Sequence, residues 1–451
     1  MNGINELAEF VQLPSLGADN ALREKLALHV LDTVGAWIAA TRTAEGRALI
    51  AFHEHLRAAN KAATPSLFDD LATQVALVRL SEIDDIHLQS MTTPGSVAVP
   101  AALTLAASLP EADADTIVAA ILAGYDAMIR LGLAIKGPEI LYRGIWPTYF
   151  GAGFATAAVA SRLLRLDSAK TAQALALALT TAAPSVGQHH AVTTARWLSV
   201  GNAARNGLMA AFAAQAGFTA DLNILQSRLF PDVYGITPDI TPMAETRALA
   251  FSQVSFKPWC AARQTMAATQ ALREILTGNL AAADISQITA YVLPPHLKMI
   301  DHGIKPGDRG SFLTSLPYQL AVAALSPSEP ASLDSTVSVP LATLQSFMTK
   351  VTVVGDDTLL DGYPTFWPAR VVVTMSSGRY ERQVQNVPGD PARPLAADDI
   401  LRKFRHFAAP VCGDDTAKMQ HASLTALNSP AAVAALMLDL HNTMARAVAE
   451  S

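Results

Sequence analysis

From Asn20 to about Leu280, apolar residues return at helical spacing almost without a break. The segments are Ala21–Thr41, Leu71–Leu80, Val97–Leu109, Ala112–Ile135, Gly151–Leu163, Ser168–Ala182, Thr194–Ala216 and Arg263–Thr277. A chain patterned this way must bury helix against helix. Alanine supplies much of the 51% hydrophobic fraction and lets helices pack closely. Ser168 reads as the N-cap of its helix.

After that the pattern changes. Ile285–Val292 alternates and is rich in β-formers, and the segment from Val337 through Val354 departs from the helical pattern. Ala369–Met375 and Gly378–Glu381 read as two strands joined by a turn at Ser376-Ser377-Gly378. Helical periodicity returns in Ala397–Phe404 and Ala431–Val448. The expected fold class is mainly α with an inserted α+β domain. A large helical domain would come from both chain ends, residues 1–264 and 396–451. A smaller lid domain would span 265–395, with the active site in the crevice between them.

Charged residues are only 16% of the 451, which leaves little surface per residue and favours a homo-oligomer. A net charge of −6 argues against a nucleic-acid partner. Cys260 and Cys412 are the two cysteines, so disulfide stapling is not expected and a reducing, cytoplasmic setting fits. Residues Met1 to Phe10 do not read as a signal peptide, and no long uncharged apolar run suggests a membrane span.

The chemistry concentrates in Glu82-Ile83-Asp84-Asp85-Ile86-His87, followed by Thr92-Thr93-Pro94-Gly95-Ser96 and an apolar helix. Three carboxylates and a histidine within six residues read as a pocket rim; the other reading is a solvated turn. His189-His190 and Asp301-His302 do not have metal-ligand spacing, and no metal is expected. Cys260 lies near Lys257 without a histidine motif to make it a nucleophile.

The order of motifs resembles the MmgE/PrpD family over nearly the whole chain. Carrying the resemblance are Leu31-Asp32-Thr33-Val34-Gly35, the acidic motif with its Thr-Pro-Gly sequel, Gly124-Tyr125-Asp126 with Arg130-Leu131, and Gly144-Ile145-Trp146-Pro147-Thr148. Gly201 to Gly207, Phe256-Lys257-Pro258-Trp259 with Arg263, Pro388-Gly389-Asp390-Pro391 and Lys403-Phe404 continue it. The resemblance implies a cofactor-free enzyme, a homodimer, that moves a proton beside a carboxylate of a small polycarboxylate. Thr93, Ile86, Trp146, Arg196 and Met266 replace the family's histidine, threonine, histidine, lysine and histidine. Water elimination wants a histidine acid. Losing these histidines makes the pattern most similar to the family's iminodisuccinate epimerases, with its dehydratases and decarboxylases as the alternative. A non-catalytic carboxylate-binding member is the reading from a different class.

On that resemblance Lys257 is the expected base. Its neighbours Phe256, Pro258 and Trp259 give an apolar setting suited to an amine base; the bland reading is a surface loop lysine. Tyr149 is the candidate for the opposite face, or else a core aromatic, and Tyr142 is a weaker substitute. His87 and Asp84 complete the catalytic candidates. Arg196 and Arg263 are expected to grip carboxylates by two-point hydrogen bonds. Thr93, Trp146, Glu82 and Asp85 are the remaining substrate-binding candidates, one or more of the acids orienting Lys257, Arg263 or His87.

Overall fold

The computed structural model describes residues 2–60, 66–109, 111–182, 193–245, 248–277, 280–327, 333 and 337–449. They fall into two compact units. One is made from the described residues of 1–188, 193–254 and 396–451, the other from those of 255–395. The chain is mainly α-helical with a small α+β region.

In the first unit the helices are α1 (Gly3–Val11), α2 (Asn20–Ala40), α3 (Ala44–Asn60), α4 (Leu67–Leu80), α5 (Gly95–Ala107), α6 (Ala114–Ala134), α7 (Gly137–Leu141), α8 (Pro147–Leu163), α9 (Ser168–Thr180), α10 (Ala195–Gln215) and α11 (Thr241–Ala244). Side-chain caps start many of them. Asn2, Asp19, Ser66, Asp113 and Asp167 each accept a backbone N–H of the first turn. Asp167, not Ser168, caps α9; its carboxylate takes the Lys170 N–H at 2.7 Å, and Ser168 is the first helical residue. The centre is α5, α6 and α8, whose alanines, valines and leucines are almost entirely buried. Helix α6 is long and apolar enough to cross a membrane by length and composition. However, 94% of its apolar window is buried within the chain, as in a core helix.

The second unit opens with α12 (Arg263–Leu276), then β1 (Ile285–Val292), α13 (Pro294–Ile300), α14 (Arg309–Thr314), α15 (Leu316–Leu325) and α16 (Leu341–Met348). Strands β2 (Val351–Gly355), β3 (Ala369–Met375) and β4 (Gly378–Val384) complete a four-stranded sheet of order β2-β1-β3-β4. β1 and β2 are parallel and the other pairs antiparallel. Met375 pairs with Gly378 across a two-residue turn, where the sequence places the hairpin. α12 and α15 pack with the inward residues of β1 and β3, including Ile288, Ala290, Val371 and Val373, to make this unit's core.

The chain then rejoins the first unit in α17 (Ala397–Cys412), α18 (Thr416–Thr425) and α19 (Pro430–Ala449). α17 lies along α2. A Cβ at Gly35 would stand 3.0 Å from the Phe404 ring, so the glycine sets how close the two helices come.

Candidate active site

The acidic segment begins where α4 ends. Glu82 follows the cap residue Ser81 with φ +62°, in the left-handed region. A non-glycine residue there costs about 1–2 kcal/mol and persists only where neighbours hold it. Arg79 is one such neighbour. Its Nη2 lies 3.1 Å from Glu82 Oε1 and its Nη1 3.3 Å from Asp84 Oδ1. Burial works against the charge of Arg79, but Asp84 and Glu82 outweigh burial and raise its pKa. Arg79 therefore offsets much of the negative charge that would repel an anionic substrate. The sequence reading missed it, because a lone arginine at a helix end carries no motif.

Asp85 turns the other way. Its Oδ1 accepts the Gly95 N–H at 2.8 Å, at the start of α5, where the helix dipole favours an anion. Its Oδ2 takes the Tyr125 hydroxyl at 2.6 Å and stands 2.8 Å from His29 Nδ1. A Cβ at Gly95 would come 2.5 Å from the Tyr125 oxygen, so the close approach requires glycine. With both oxygens engaged inside the core, Asp85 holds the fold together. This corrects its expected role in binding substrate.

His87 is also turned inward. Its Nδ1 accepts the Ser90 N–H at 3.2 Å and lies 2.9 Å from the Ser90 hydroxyl. Burial lowers its pKa to about 4, so the ring is neutral at physiological pH. As a catalytic candidate His87 is poorly placed to act as an acid, being buried and neutral. Thr93 is buried beside it in sequence space at the mouth of α5, its hydroxyl 3.1 Å from Ser96 Oγ.

Three expected residues, Trp146, Tyr149 and Arg196, lie close to Arg79 and Trp197. Trp146, just before Pro147 at the start of α8, stacks on Tyr149 with ring centres 5.8 Å apart and planes 25° apart. The Arg196 guanidinium lies 4.6 Å from the Trp197 ring centre and 5.8 Å from that of Trp146. Arg79 approaches the same Trp197 ring at 6.0 Å. Tyr149 is buried, and burial raises its pKa to about 12, against the pull of Arg79 and Arg196 and with the push of Glu82 and Asp84. Its phenol is thus protonated at neutral pH. Arg79 is engaged by two carboxylates, whereas Arg196 has no ion pair or hydrogen bond among the described residues, and only aromatic faces hold it. Its fork is available to a carboxylate.

In the second unit Lys257 is buried, with 2% of its surface exposed, so the surface-loop reading of it fails. The backbone on either side is fixed. Phe256 N–H donates to the Gly389 carbonyl at 3.0 Å, and Gly389 has φ +101°. Arg263 is buried and ion-paired to Asp390, its Nη2 2.7 and 3.0 Å from the two carboxylate oxygens. Asp390 engages one nitrogen of the three; the buried Nε and Nη1 have no hydrogen-bond partner among the described residues. Tyr318, unremarked in the sequence, is a buried phenol; burial first and Cys260 second push its pKa to about 12. His302 bonds Gly303 and Thr314 locally. His189 and His190 lie outside the described residues. Among the described residues no three His, Cys, Asp or Glu side chains come together.

A cavity of about 650 Å³ lies at the far ends of α2, α4 and α5 from the acidic turn. Trp37, Asp70, Gln74 and Thr104 help to line it, and none of the residues discussed above does.

The N-terminal domain profile of the MmgE/PrpD family matches residues 5–241, and the C-terminal domain profile matches residues 259–429. The chain belongs to the MmgE/PrpD family. The compact units divide between Val254 and Ser255, in the gap between the two profile matches. Curated MmgE/PrpD-like relatives include the cis-aconitate decarboxylase of Aspergillus terreus, 30% identical over 160 residues. That match covers 34% of this chain and 32% of the relative, so it spans about a third of the Aspergillus enzyme's length. The human cis-aconitate decarboxylase is 24% identical over 416 residues, covering 86% of this chain and 83% of the relative. A cis-aconitate decarboxylase-like protein of Aspergillus oryzae is 23% identical over 394 residues, 80% of each. The family is one of enzymes, and these relatives are named as decarboxylases.

Proposed function

We propose that the chain is a cofactor-independent epimerase of a small amino-polycarboxylate of the iminodisuccinate type. It would act by proton transfer at the carbon beside a carboxylate. The observation that carries this reading is the protonation pattern at the acidic turn. The histidine there is neutral and turned inward, while Tyr149 keeps its proton near Arg196, which has no ion pair among the described residues. Such a set can hold a carboxylate and return a proton to a carbanion, and among the described residues of the turn no imidazolium stands ready to expel a hydroxyl.

In the proposed cycle a base takes the Cα proton; Lys257 holds that role on the resemblance alone. Arg196 stabilises the enolate-like charge, and Tyr149 gives its proton to the opposite face and becomes a phenolate. Solvent exchange restores both groups.

The lyase reading is second. Its support is the name that the relatives carry, cis-aconitate decarboxylase. There Tyr149 would protonate the carbanion left by carbon dioxide, at the same face.

Proton NMR in deuterated water separates the readings. Iminodisuccinate, citrate-type hydroxyacids and cis-aconitate would each be incubated with the chain. Loss of the Cα–H signal with the skeleton intact supports the epimerase. New vinylic signals from the hydroxyacids, or a decarboxylated product from cis-aconitate, would replace it with the lyase. Ligand binding without turnover or exchange would make the chain a binding protein.

A further inference from the structure

We propose that Lys403, in α17, is a positioning residue that keeps the acidic turn in its working shape. The ammonium is buried. Its Nζ donates to the Ile83 carbonyl at 2.7 Å, and an Asp32 carboxylate oxygen stands 2.6 Å away. Ile83 sits between Glu82, the strained residue, and Asp84, and both of these are partners of Arg79. One donor thus grips the backbone of the turn between its two functional carboxylates. It does so from a residue 320 positions further along the chain.

Other contacts flank this grip. Ile83 N–H has a long bond of 3.3 Å to the Ser81 hydroxyl. Downstream, Asp85 ties the segment to Gly95, Tyr125 and His29. Between them, Arg79 engages the Glu82 and Asp84 side chains, and Lys403 takes the Ile83 carbonyl. A buried ammonium needs an anion, which Asp32 supplies from α2. Burial raises the pKa of Asp32 and Lys403 opposes this, as expected for a pair whose two charges depend on each other. The Gly35–Phe404 approach, one helical turn along α2 from Asp32, brings α17 close enough for the lysine to reach.

The effect on turnover rests on the proton-transfer reading above; the effect on the turn does not. The test is therefore hydrogen–deuterium exchange of the peptide covering residues 81–88, with that of α8 as the internal control. Lys403→Met is expected to speed exchange in the turn roughly tenfold while α8 is unchanged. Asp32→Asn, which keeps the shape and removes the counter-charge, is expected to loosen the same peptide and serves if the first variant fails to fold. On the substrate that shows Cα–H washout, kcat should fall about tenfold in Lys403→Met with KM unmoved. Unchanged exchange in the turn in a folded variant overturns the proposal. So does equal loosening of the turn and α8, which would make Lys403 a general stabiliser. Loosening confined to the turn with no substrate turned over by the unaltered chain would leave the positioning role standing and remove the epimerase instead.

Discussion

Arg196 lies 4.6 Å from the ring centre of Trp197 and 5.8 Å from that of Trp146, held by aromatic faces with no anion partner among the described residues. A guanidinium placed this way is oriented before a ligand arrives. Arg196→Met should therefore raise KM by about 10–100-fold, the scale of one lost charge-assisted contact. The melting temperature should move little, because no internal hydrogen bond is lost. Steady-state kinetics and a thermal melt on the same preparation check both halves.

Tyr149→Phe keeps the ring against Trp146 and removes the proton. The rate of Cα–H exchange should drop about 100-fold or more, in line with loss of a positioned acid, with substrate affinity nearly unchanged. An unaltered exchange rate would remove Tyr149 from the mechanism.

Tyr125→Phe tests the claim that Asp85 serves the fold. The lost bond is a buried 2.6 Å contact to a carboxylate, so unfolding free energy should fall by about 1–3 kcal/mol. Denaturant titration measures it. A loss of turnover at full stability would return Asp85 to the substrate.

His87 gives a pH dependence with a definite sign. Its folded pKa of about 4 lies below the ordinary 6.5, so the unfolded chain binds this proton first. The contribution of His87 to stability is complete above the unfolded value. It is lost as pH falls from about 6.5 to about 4, a decline on the order of 3 kcal/mol. His87→Gln should flatten that part of the wild-type minus variant stability profile.

Gly389→Ala should be among the most damaging single changes in the second unit. Its φ of +101° disfavours any side chain, and a Cβ would collide with the Phe256 carbonyl oxygen. A loss of at least about 2 kcal/mol is expected. Thermal denaturation checks the loss, and a variant as stable as the parent would show that the Phe256–Lys257 backbone can yield.

The fold was largely legible in the sequence, since periodicity of 3.6 and of 2 is a local property. The eight expected helices between Ala21 and Thr277 all form, with ends shifted by a few residues. Helices α1 and α3 escaped notice, the latter because its exposed residues Phe52, Glu54 and His55 blur the apolar stripe. The site was only half legible. Arg196, Trp146 and Tyr149 were named through the resemblance; Arg79 and His29 were not, and Lys403 was met only as part of a motif. Their roles depend on which way a side chain points after α4, α2 and α17 have packed, and no spacing rule records that. The same blindness made Asp85 and His87 look free when the core had claimed them.

The bond from Lys403 to the Ile83 carbonyl also has a consequence in time. On a ribosome, the acidic turn and its helices emerge long before the lysine that finishes them. For that interval the N-terminal helices carry an uncompensated Asp32 and an unanchored loop. The nascent chain can collapse early, but it cannot become competent until its last helices are made. A truncated message would yield a helical protein with an unfinished site.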